Sequence, residues 1–158
     1  QNKYPVAIRI PRNGVHHVDG SVDSDYSELN KNRITRKGGN IAVFALGDFY
    51  QLGEELCDHI EKEIGIAPTL VNPRYITGLD VELLNSLKEN HQVVLTMEDG
   101  VLDGGYGQKI ASFYGPSAMK VMNYGLKKEF IDRFNASEIL KENKITIEDM
   151  INDLKNII

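Results

Sequence analysis

The residue best suited to bind a ligand follows a predicted strand near the start of the chain. The apolar run over residues 5–10 predicts a short buried strand that stops at Pro11, and Arg12 comes directly afterwards. Ligand-binding groups of α/β proteins lie where strands end. A guanidinium group offers a planar fork of hydrogen-bond donors that matches a phosphate. Arg12 is therefore a candidate phosphate ligand.

A glycine-rich loop is the second candidate for ligand binding. Residues 103–107 read Asp-Gly-Gly-Tyr-Gly and lie between a predicted strand and a predicted helix. Such a loop can hold a phosphate at a helix N-terminus. The pattern lacks the full G-x-G-x-x-G fingerprint and the lysine of a P-loop. Close packing of a helix on a sheet, which glycine alone permits, is the favoured interpretation.

Two adjacent carboxylates, Glu98 and Asp99, precede this loop. Paired carboxylates at a strand end can act as acid and base or can bind a metal ion. Alternatively, one of them caps the amide groups of the loop and the other is solvated. No second cluster of ligands lies near them in the sequence, so the capping interpretation is favoured.

The remaining candidate functional residues have no further ligands or catalytic groups near them in the sequence. His16 and His17 lie in a polar segment without further metal ligands at a workable spacing, which favours solvated side chains. Arg74 follows a predicted strand, where it either binds an anion or a partner chain or hydrogen-bonds loop carbonyls; both alternatives stay open. The single cysteine, Cys57, lies in a helical pattern and predicts a buried structural thiol. No catalytic triad or metal set emerges from the sequence.

Composition narrows the class of protein. The chain has 158 residues, a formal net charge of −5 and 41% hydrophobic residues, which suits a globular domain with a real core. The acidic balance argues against nucleic acid or an anionic membrane as the main partner. No apolar run approaches the ~20 residues of a membrane span, and no signal peptide is visible. We therefore expect a cytoplasmic protein.

The elements that must position these residues alternate between strand and helix. Continuous apolar runs predict buried strands, and apolar residues at helical spacing predict the helices between them. Asp80, Asn135 and Thr146 are predicted helix caps. The predicted strands cover residues 41–46, 69–71, 92–97 and 119–124, with a further short edge strand over 34–36 inside a polar segment. This order implies a mostly parallel sheet with helices on both faces.

Four motifs resemble one family of enzymes. They cover residues 8–14, 72–80, 96–107 and 124–134. Together they resemble the C-terminal part of thiamine-dependent, transketolase-like enzymes, and within that superfamily the 1-deoxy-D-xylulose-5-phosphate synthases of the Gram-positive bacterial type. The resemblance covers essentially the whole chain and implies a three-layer α/β/α fold with a five-stranded, mostly parallel mixed sheet.

The resemblance also implies a reaction and a set of partners. Enzymes of this family are homodimers that use thiamine diphosphate and Mg²⁺ to condense pyruvate with glyceraldehyde 3-phosphate and release carbon dioxide, which supplies isoprenoid and thiamine biosynthesis. Arg12 matches the arginine that binds the phosphate of glyceraldehyde 3-phosphate. Cofactor and metal are implied to bind to the remainder of the polypeptide, so the chain alone is expected to bind neither and to be inactive.

The implied domain organisation has three parts. Residues 1–14 correspond to the last strand of the pyrimidine-binding domain, residues 15–39 to an interdomain linker, and residues 40–158 to the transketolase C-terminal-like domain. Two alternatives remain. The chain is the C-terminal domain of another thiamine enzyme, either transketolase or a 2-oxoacid dehydrogenase β chain, or it is a stand-alone α/β domain that binds its ligand at Gly104 and Gly105.

Overall fold

Five strands form one mixed sheet in the order β1-β3-β2-β4-β5. The computed structural model describes residues 5–10, 25–132 and 135–158. The strands are β1 (Arg33–Arg36), β2 (Asn40–Ala45), β3 (Thr69–Asn72), β4 (His91–Val101) and β5 (Lys120–Leu126). Strands β2 to β5 run parallel, and β1 pairs antiparallel with the outer side of β3. The predicted five-stranded mixed sheet with a short edge strand is confirmed.

The two central strands are buried on both faces. Every residue from Ile41 to Ala45 is inaccessible to solvent, as are Val93 to Leu95 in β4. Alternate side chains of β2 therefore enter different cores: Val43 packs on one side of the sheet and Phe44 on the other. This two-sided burial explains the continuous apolar runs in the sequence.

Helices cover both faces of the sheet. They are α1 (Tyr50–Ile64), α2 (Val81–Asn90), α3 (Tyr106–Tyr114), α4 (Ala136–Glu142) and α5 (Ile147–Ile157), with a short 3-10 turn at Gly47–Phe49. Helices α1 and α5 contribute to one core, and α2 and α3 contribute to the other. The predicted caps Asp80, Asn135 and Thr146 each accept a hydrogen bond from a backbone N–H in the first turn.

Strand β4 is longer than the sequence predicts. It extends beyond Met97 to Val101, and its register with β5 shifts between these two residues. The extra residues form an irregularity in the ladder, as in a β-bulge. Glu98 and Asp99, which the sequence places at the end of this strand, therefore lie within it.

Residues 5–10 do not form the buried strand that their apolar pattern predicts. Val6, Ile8 and Ile10 are 76%, 81% and 76% exposed. The edges of the sheet are β1 and β5, and neither pairs with this segment. Residues 5–10 therefore have no sheet partner among the described residues, as is expected if they are the last strand of another domain, which is what the resemblance implies.

His91 links the amino ends of two strands. Its Nδ1 lies 3.2 Å from the carbonyl oxygen of Leu87, which can only accept, so Nδ1 carries the proton and donates. Its Nε2 lies 2.9 Å from Oγ1 of Thr69, a hydroxyl that also accepts from the Gly38 N–H at 3.1 Å. In neutral His91, Nε2 therefore accepts a hydrogen bond from the Thr69 hydroxyl. Burial lowers the pKa of this imidazole.

Candidate functional site at the carboxyl edge of the sheet

Glu98 caps helix α3 from the neighbouring strand. Its Oε2 accepts the N–H of Tyr106 at 2.8 Å, and its Oε1 accepts the N–H of Gly107 at 3.0 Å. The residue is only 6% exposed. A carboxylate at a helix N-terminus satisfies donors that have no partner within the helix and opposes the positive end of its dipole. The predicted capping role is confirmed for Glu98.

The glycines of the loop make room for this carboxylate. A Cβ atom at Gly105 would lie 2.4 Å from Oε1 of Glu98, and one at Gly107 would lie 2.4 Å from Oγ1 of Thr96. A Cβ at Gly125 in β5 would lie 3.1 Å from Cγ of Glu98. Close helix–sheet packing therefore accounts for the glycine-rich pattern, as the favoured interpretation states.

The amide groups of this loop are already occupied by the chain itself. Besides the two N–H groups bound to Glu98, the Gly104 N–H donates to Oε1 of Gln108 at 2.6 Å, and the Gly105 N–H donates to the carbonyl of Leu102 at 2.9 Å. A phosphate here would have to displace a bound carboxylate. The loop therefore offers no ready cradle for the ligand of a stand-alone binding domain.

Asp99 faces the opposite way from Glu98 and contacts the start of the chain. The Arg9 guanidinium donates from Nη1 to the main-chain oxygen of Asp99 at 2.8 Å and from Nη2 to Oδ2 of Asp99 at 2.5 Å. The side chains of Arg9 and Asp99 are 71% and 33% exposed. The expectation of a merely solvated Asp99 missed this pairing, because the two residues are 90 positions apart in sequence.

Asp80 joins the segment over residues 25–32 to the domain. Its Oδ1 accepts the N–H of Leu83 at 3.2 Å, which caps α2, and its Oδ2 accepts the N–H of Asn32 at 3.0 Å. Asn32 in turn donates from Nδ2 to the Tyr106 hydroxyl at 3.2 Å, and Lys31 Nζ lies 3.8 Å from Oδ1 of Asp80. The sequence identifies the cap but not this second role.

Arg74 also binds the segment over residues 25–32. Its Nε donates to the carbonyl of Lys31 at 3.1 Å, and its guanidinium carbon lies 5.4 Å from the centre of the Tyr26 ring. The Tyr75 hydroxyl donates to the carbonyl of Tyr26 at 2.9 Å. Of the two alternatives left open for Arg74, the structure therefore shows hydrogen bonding to a carbonyl.

The remaining candidates divide between buried and undescribed positions. Cys57 is fully buried in the core, which confirms the prediction of a buried structural thiol, and this burial raises the pKa of the thiol to about 12. Arg12, His16 and His17 lie outside the described residues.

Within residues 5–10, 25–132 and 135–158, no three or more His, Cys, Asp or Glu side chains gather so that they could hold a metal ion. None of the helices in these ranges is long and apolar enough to cross a membrane.

Comparison with known proteins defines the class of this domain. The family model described as "Transketolase, C-terminal domain" matches residues 30–150. The solved structure "Split gene transketolase, inactive beta4 tetramer" superposes with a TM-score of 0.71 and 22% identity, over 82% of this chain and 42% of that chain. The chain belongs to the transketolase C-terminal domain family, and the predicted fold class is confirmed.

The curated relatives point to one branch of that family. A 1-deoxy-D-xylulose-5-phosphate synthase from Alkaliphilus oremlandii is 32% identical over 154 residues, which span 96% of this chain and 24% of that protein. A synthase of the same name from Dehalococcoides mccartyi is 34% identical over 137 residues, which span 84% of this chain and 21% of that protein. The chain thus spans less than a quarter of the length of these relatives.

Proposed function

We propose that the chain is the C-terminal part of a thiamine diphosphate-dependent synthase that condenses pyruvate with glyceraldehyde 3-phosphate. The products are 1-deoxy-D-xylulose 5-phosphate and carbon dioxide. The observation that carries this proposal is the similarity to a synthase over 154 residues, which extends beyond the part matched by the general family model. This branch of the family is favoured over transketolase because the solved transketolase supports the fold alone.

The proposed enzyme is a cytoplasmic transferase, active as a homodimer, in which residues 1–14 complete a neighbouring pyrimidine-binding domain. The exposure of Val6, Ile8 and Ile10 supports this assignment, because an apolar strand needs a sheet edge to pair with. Residues 15–39 are the proposed linker and residues 40–158 the C-terminal domain. The second half of that linker packs on the domain through Asp80 and Arg74 and contributes β1 to the sheet.

The described residues do not fit a thiamine diphosphate site. The N–H groups that could receive a diphosphate at α3 already bind Glu98, and no described cluster of carboxylates suits Mg²⁺. We therefore assign cofactor and metal binding to the remainder of the polypeptide and derive no catalytic step from this chain. The chain alone is proposed to be inactive.

Arg12 is the one residue of this chain to which we assign contact with substrate. In the proposal its guanidinium binds the phosphate of glyceraldehyde 3-phosphate as a bidentate, charge-assisted pair. Two points support this assignment: residues 8–14 resemble the motif of the synthases, and Arg9 contacts Asp99 near the carboxyl end of β4, the edge of the sheet where α/β proteins bind ligands.

The test is an assay of the full-length polypeptide that contains this chain. Purified protein is supplied with thiamine diphosphate and Mg²⁺ and then with pyruvate, alone or together with glyceraldehyde 3-phosphate, while carbon dioxide and the sugar phosphate are measured. The proposal expects stoichiometric release of both products only when both substrates are present. Transfer of a two-carbon unit from a ketose phosphate, with no reaction of pyruvate, would instead identify a transketolase and refute the proposal.

A further inference from the structure

A short segment before β1 contacts the N-terminal ends of two helices. The N–H of Asn32 donates to Oδ2 of Asp80, the cap of α2, at 3.0 Å. Nδ2 of Asn32 donates to the hydroxyl of Tyr106, the first residue of α3, at 3.2 Å. Asp80 and Tyr106 are only 7% and 3% exposed. Residues 26–32, which we call the clasp, therefore bind two buried polar groups at the carboxyl edge of the sheet.

The loop before α2 holds the clasp at two further points. The Tyr75 hydroxyl donates to the carbonyl of Tyr26 at 2.9 Å, and the Thr77 hydroxyl donates to Oδ1 of Asn30 at 2.9 Å. A Cβ atom at Gly78 would lie 2.5 Å from Nδ2 of Asn30, so the loop and the clasp are closely packed. The clasp is thus fastened at both of its ends and between them.

Charged groups add to this attachment. The ammonium group of Lys31 lies 3.8 Å from Oδ1 of Asp80 and donates to Oε2 of Glu82. Nε of Arg74 donates to the carbonyl of Lys31 at 3.1 Å. Asp80 therefore receives a hydrogen bond and a cation from the clasp, in addition to the α2 N–H that it caps.

The clasp has no apolar anchor. Tyr26 and Leu29 are 52% and 65% exposed, and residues 26–32, all of which the structure describes, contribute no side chain to either hydrophobic core. Oδ1 of Asn32 is buried and has no hydrogen-bond partner among the described residues, which destabilises the closed arrangement. Segments with few buried apolar contacts open at low free-energy cost. These features favour opening of the clasp while the sheet stays folded.

We propose that the clasp is a conformational device in which residues 26–32 close and open on the folded sheet as one unit, with Asp80 as the lock. Opening exposes the Asp80 carboxylate and the Tyr106 hydroxyl to solvent at the starts of α2 and α3. This inference goes beyond the proposed function and does not depend on it, because every contact that carries it joins described residues of this chain. In the proposed enzyme, the closed clasp makes residues 26–32 a fixed part of the C-terminal domain.

Amide hydrogen exchange of the 158-residue chain, followed by NMR, tests whether the clasp opens as one unit. Tyr75→Phe removes the hydrogen bond to the Tyr26 carbonyl. Tyr26→Phe is the matched control, since the structure gives the Tyr26 hydroxyl no hydrogen bond among the described residues and its ring stays on Arg74. Removing one neutral hydrogen bond should lower the protection factor of the Asn32 N–H by about two- to twelvefold in Tyr75→Phe. The control should leave that protection factor unchanged.

Asn32 decides the outcome because its N–H lies at the opposite end of the clasp from Tyr26. An unchanged protection factor at Asn32 in Tyr75→Phe would show that the two ends open separately, and the single unit would be refuted. Val94, which is inaccessible to solvent in β4, should exchange equally slowly in all these proteins. An equal loss of protection at Val94 would mean that the whole domain unfolds and would also overturn the proposal.

The role of Asp80 as the lock is tested by Asn32→Asp, which places a second carboxylate close to Asp80 with little change in side-chain size. At neutral pH, repulsion between the like charges should open the clasp. The protection factor at position 32, corrected for the intrinsic exchange rate, should then fall further than it does in Tyr75→Phe. Adding Asp80→Asn removes the repulsion and keeps a residue that can cap α2, so the double variant should regain part of the protection. Equal protection in the single and double variants would rule out Asp80 as the lock.

Discussion

Replacing Glu98 with glutamine tests whether its charge at the N-terminus of α3 stabilises the fold. The carboxylate accepts two N–H groups at 2.8 and 3.0 Å, so a glutamine of the same shape must direct its own NH₂ group at one of them. One hydrogen bond is then lost, and the other is no longer charge-assisted. We expect Glu98→Gln to lower the free energy of unfolding, with Tyr106 and Gly107 as the affected donors.

The magnitude follows from two contributions. A hydrogen bond to a charged group contributes about 1.5–3 kcal/mol, and a negative charge at a helix N-terminus adds about 0.3–1 kcal/mol. Their sum gives a loss of about 2–4 kcal/mol. For a chain of 158 residues, this corresponds to a fall in Tm of about 4–16 °C.

Urea denaturation followed by circular dichroism measures this loss, with Glu89→Gln as the matched control. Glu89 is exposed near the end of α2, so its substitution removes the same charge without touching a capped helix N-terminus. The slope of the free energy against urea concentration should not change. If Glu98→Gln lies within about 0.5 kcal/mol of Glu89→Gln, the carboxylate contributes no stability as a cap and the reasoning is wrong.

Three further predictions concern other positions. In the proposed full-length enzyme, Arg12→Ala should lower kcat/KM for glyceraldehyde 3-phosphate by roughly 30- to several-thousand-fold, because losing a hydrogen-bonded charge pair costs about 2–5 kcal/mol; an unchanged value in steady-state kinetics would contradict the proposed phosphate contact. Burial lowers the pKa of His91 below its usual 6.5, so the unfolded chain binds more protons below that pH, and stability should fall as pH decreases from 6.5. Urea denaturation at neutral pH and at about pH 5 should show that the free energy of unfolding falls less in His91→Gln than in the wild type. Gly107→Ala should destabilise the fold because its Cβ would overlap Thr96 Oγ1, whereas Gly100→Ala, with open space at its Cβ, should not; equal midpoints in thermal melts would refute this.

Local patterns in the sequence predict most of the fold. The apolar runs of β2 and β4 and the caps at Asp80 and Thr146 are visible because the residues that interact lie within a few positions of each other. The extension of β4 to Val101 was not predicted, since a bulge interrupts the period of the strand. The residues of this extension adopt their conformation because they contact β5 and α3, and not because of an intrinsic strand propensity.

The candidate site depends more strongly on distant contacts. One of Glu98 and Asp99 was predicted to cap the loop because both precede it closely in sequence, and Glu98, which does so, lies only 8 positions from Tyr106. Arg9 and Asp99 are 90 positions apart in sequence, and Asn32 and Asp80 are 48 positions apart. Local sequence patterns cannot predict contacts between residues this far apart. The apolar pattern of residues 5–10 is visible in the sequence, but whether such a segment is buried depends on a partner strand and not on the segment itself.

Strand β1 has a consequence for the behaviour of the domain in concentrated solution. It covers the outer side of β3, a strand whose unpaired N–H and C=O groups would otherwise recruit strands of other molecules. Only 4 residues long, it has a register shift between Ile34 and Arg36, and Arg36 binds Asp58 and Glu61 of α1. A short, irregular and charged edge is a poor template for intermolecular β-pairing. The segment that contributes β1 thus also protects the sheet from aggregation.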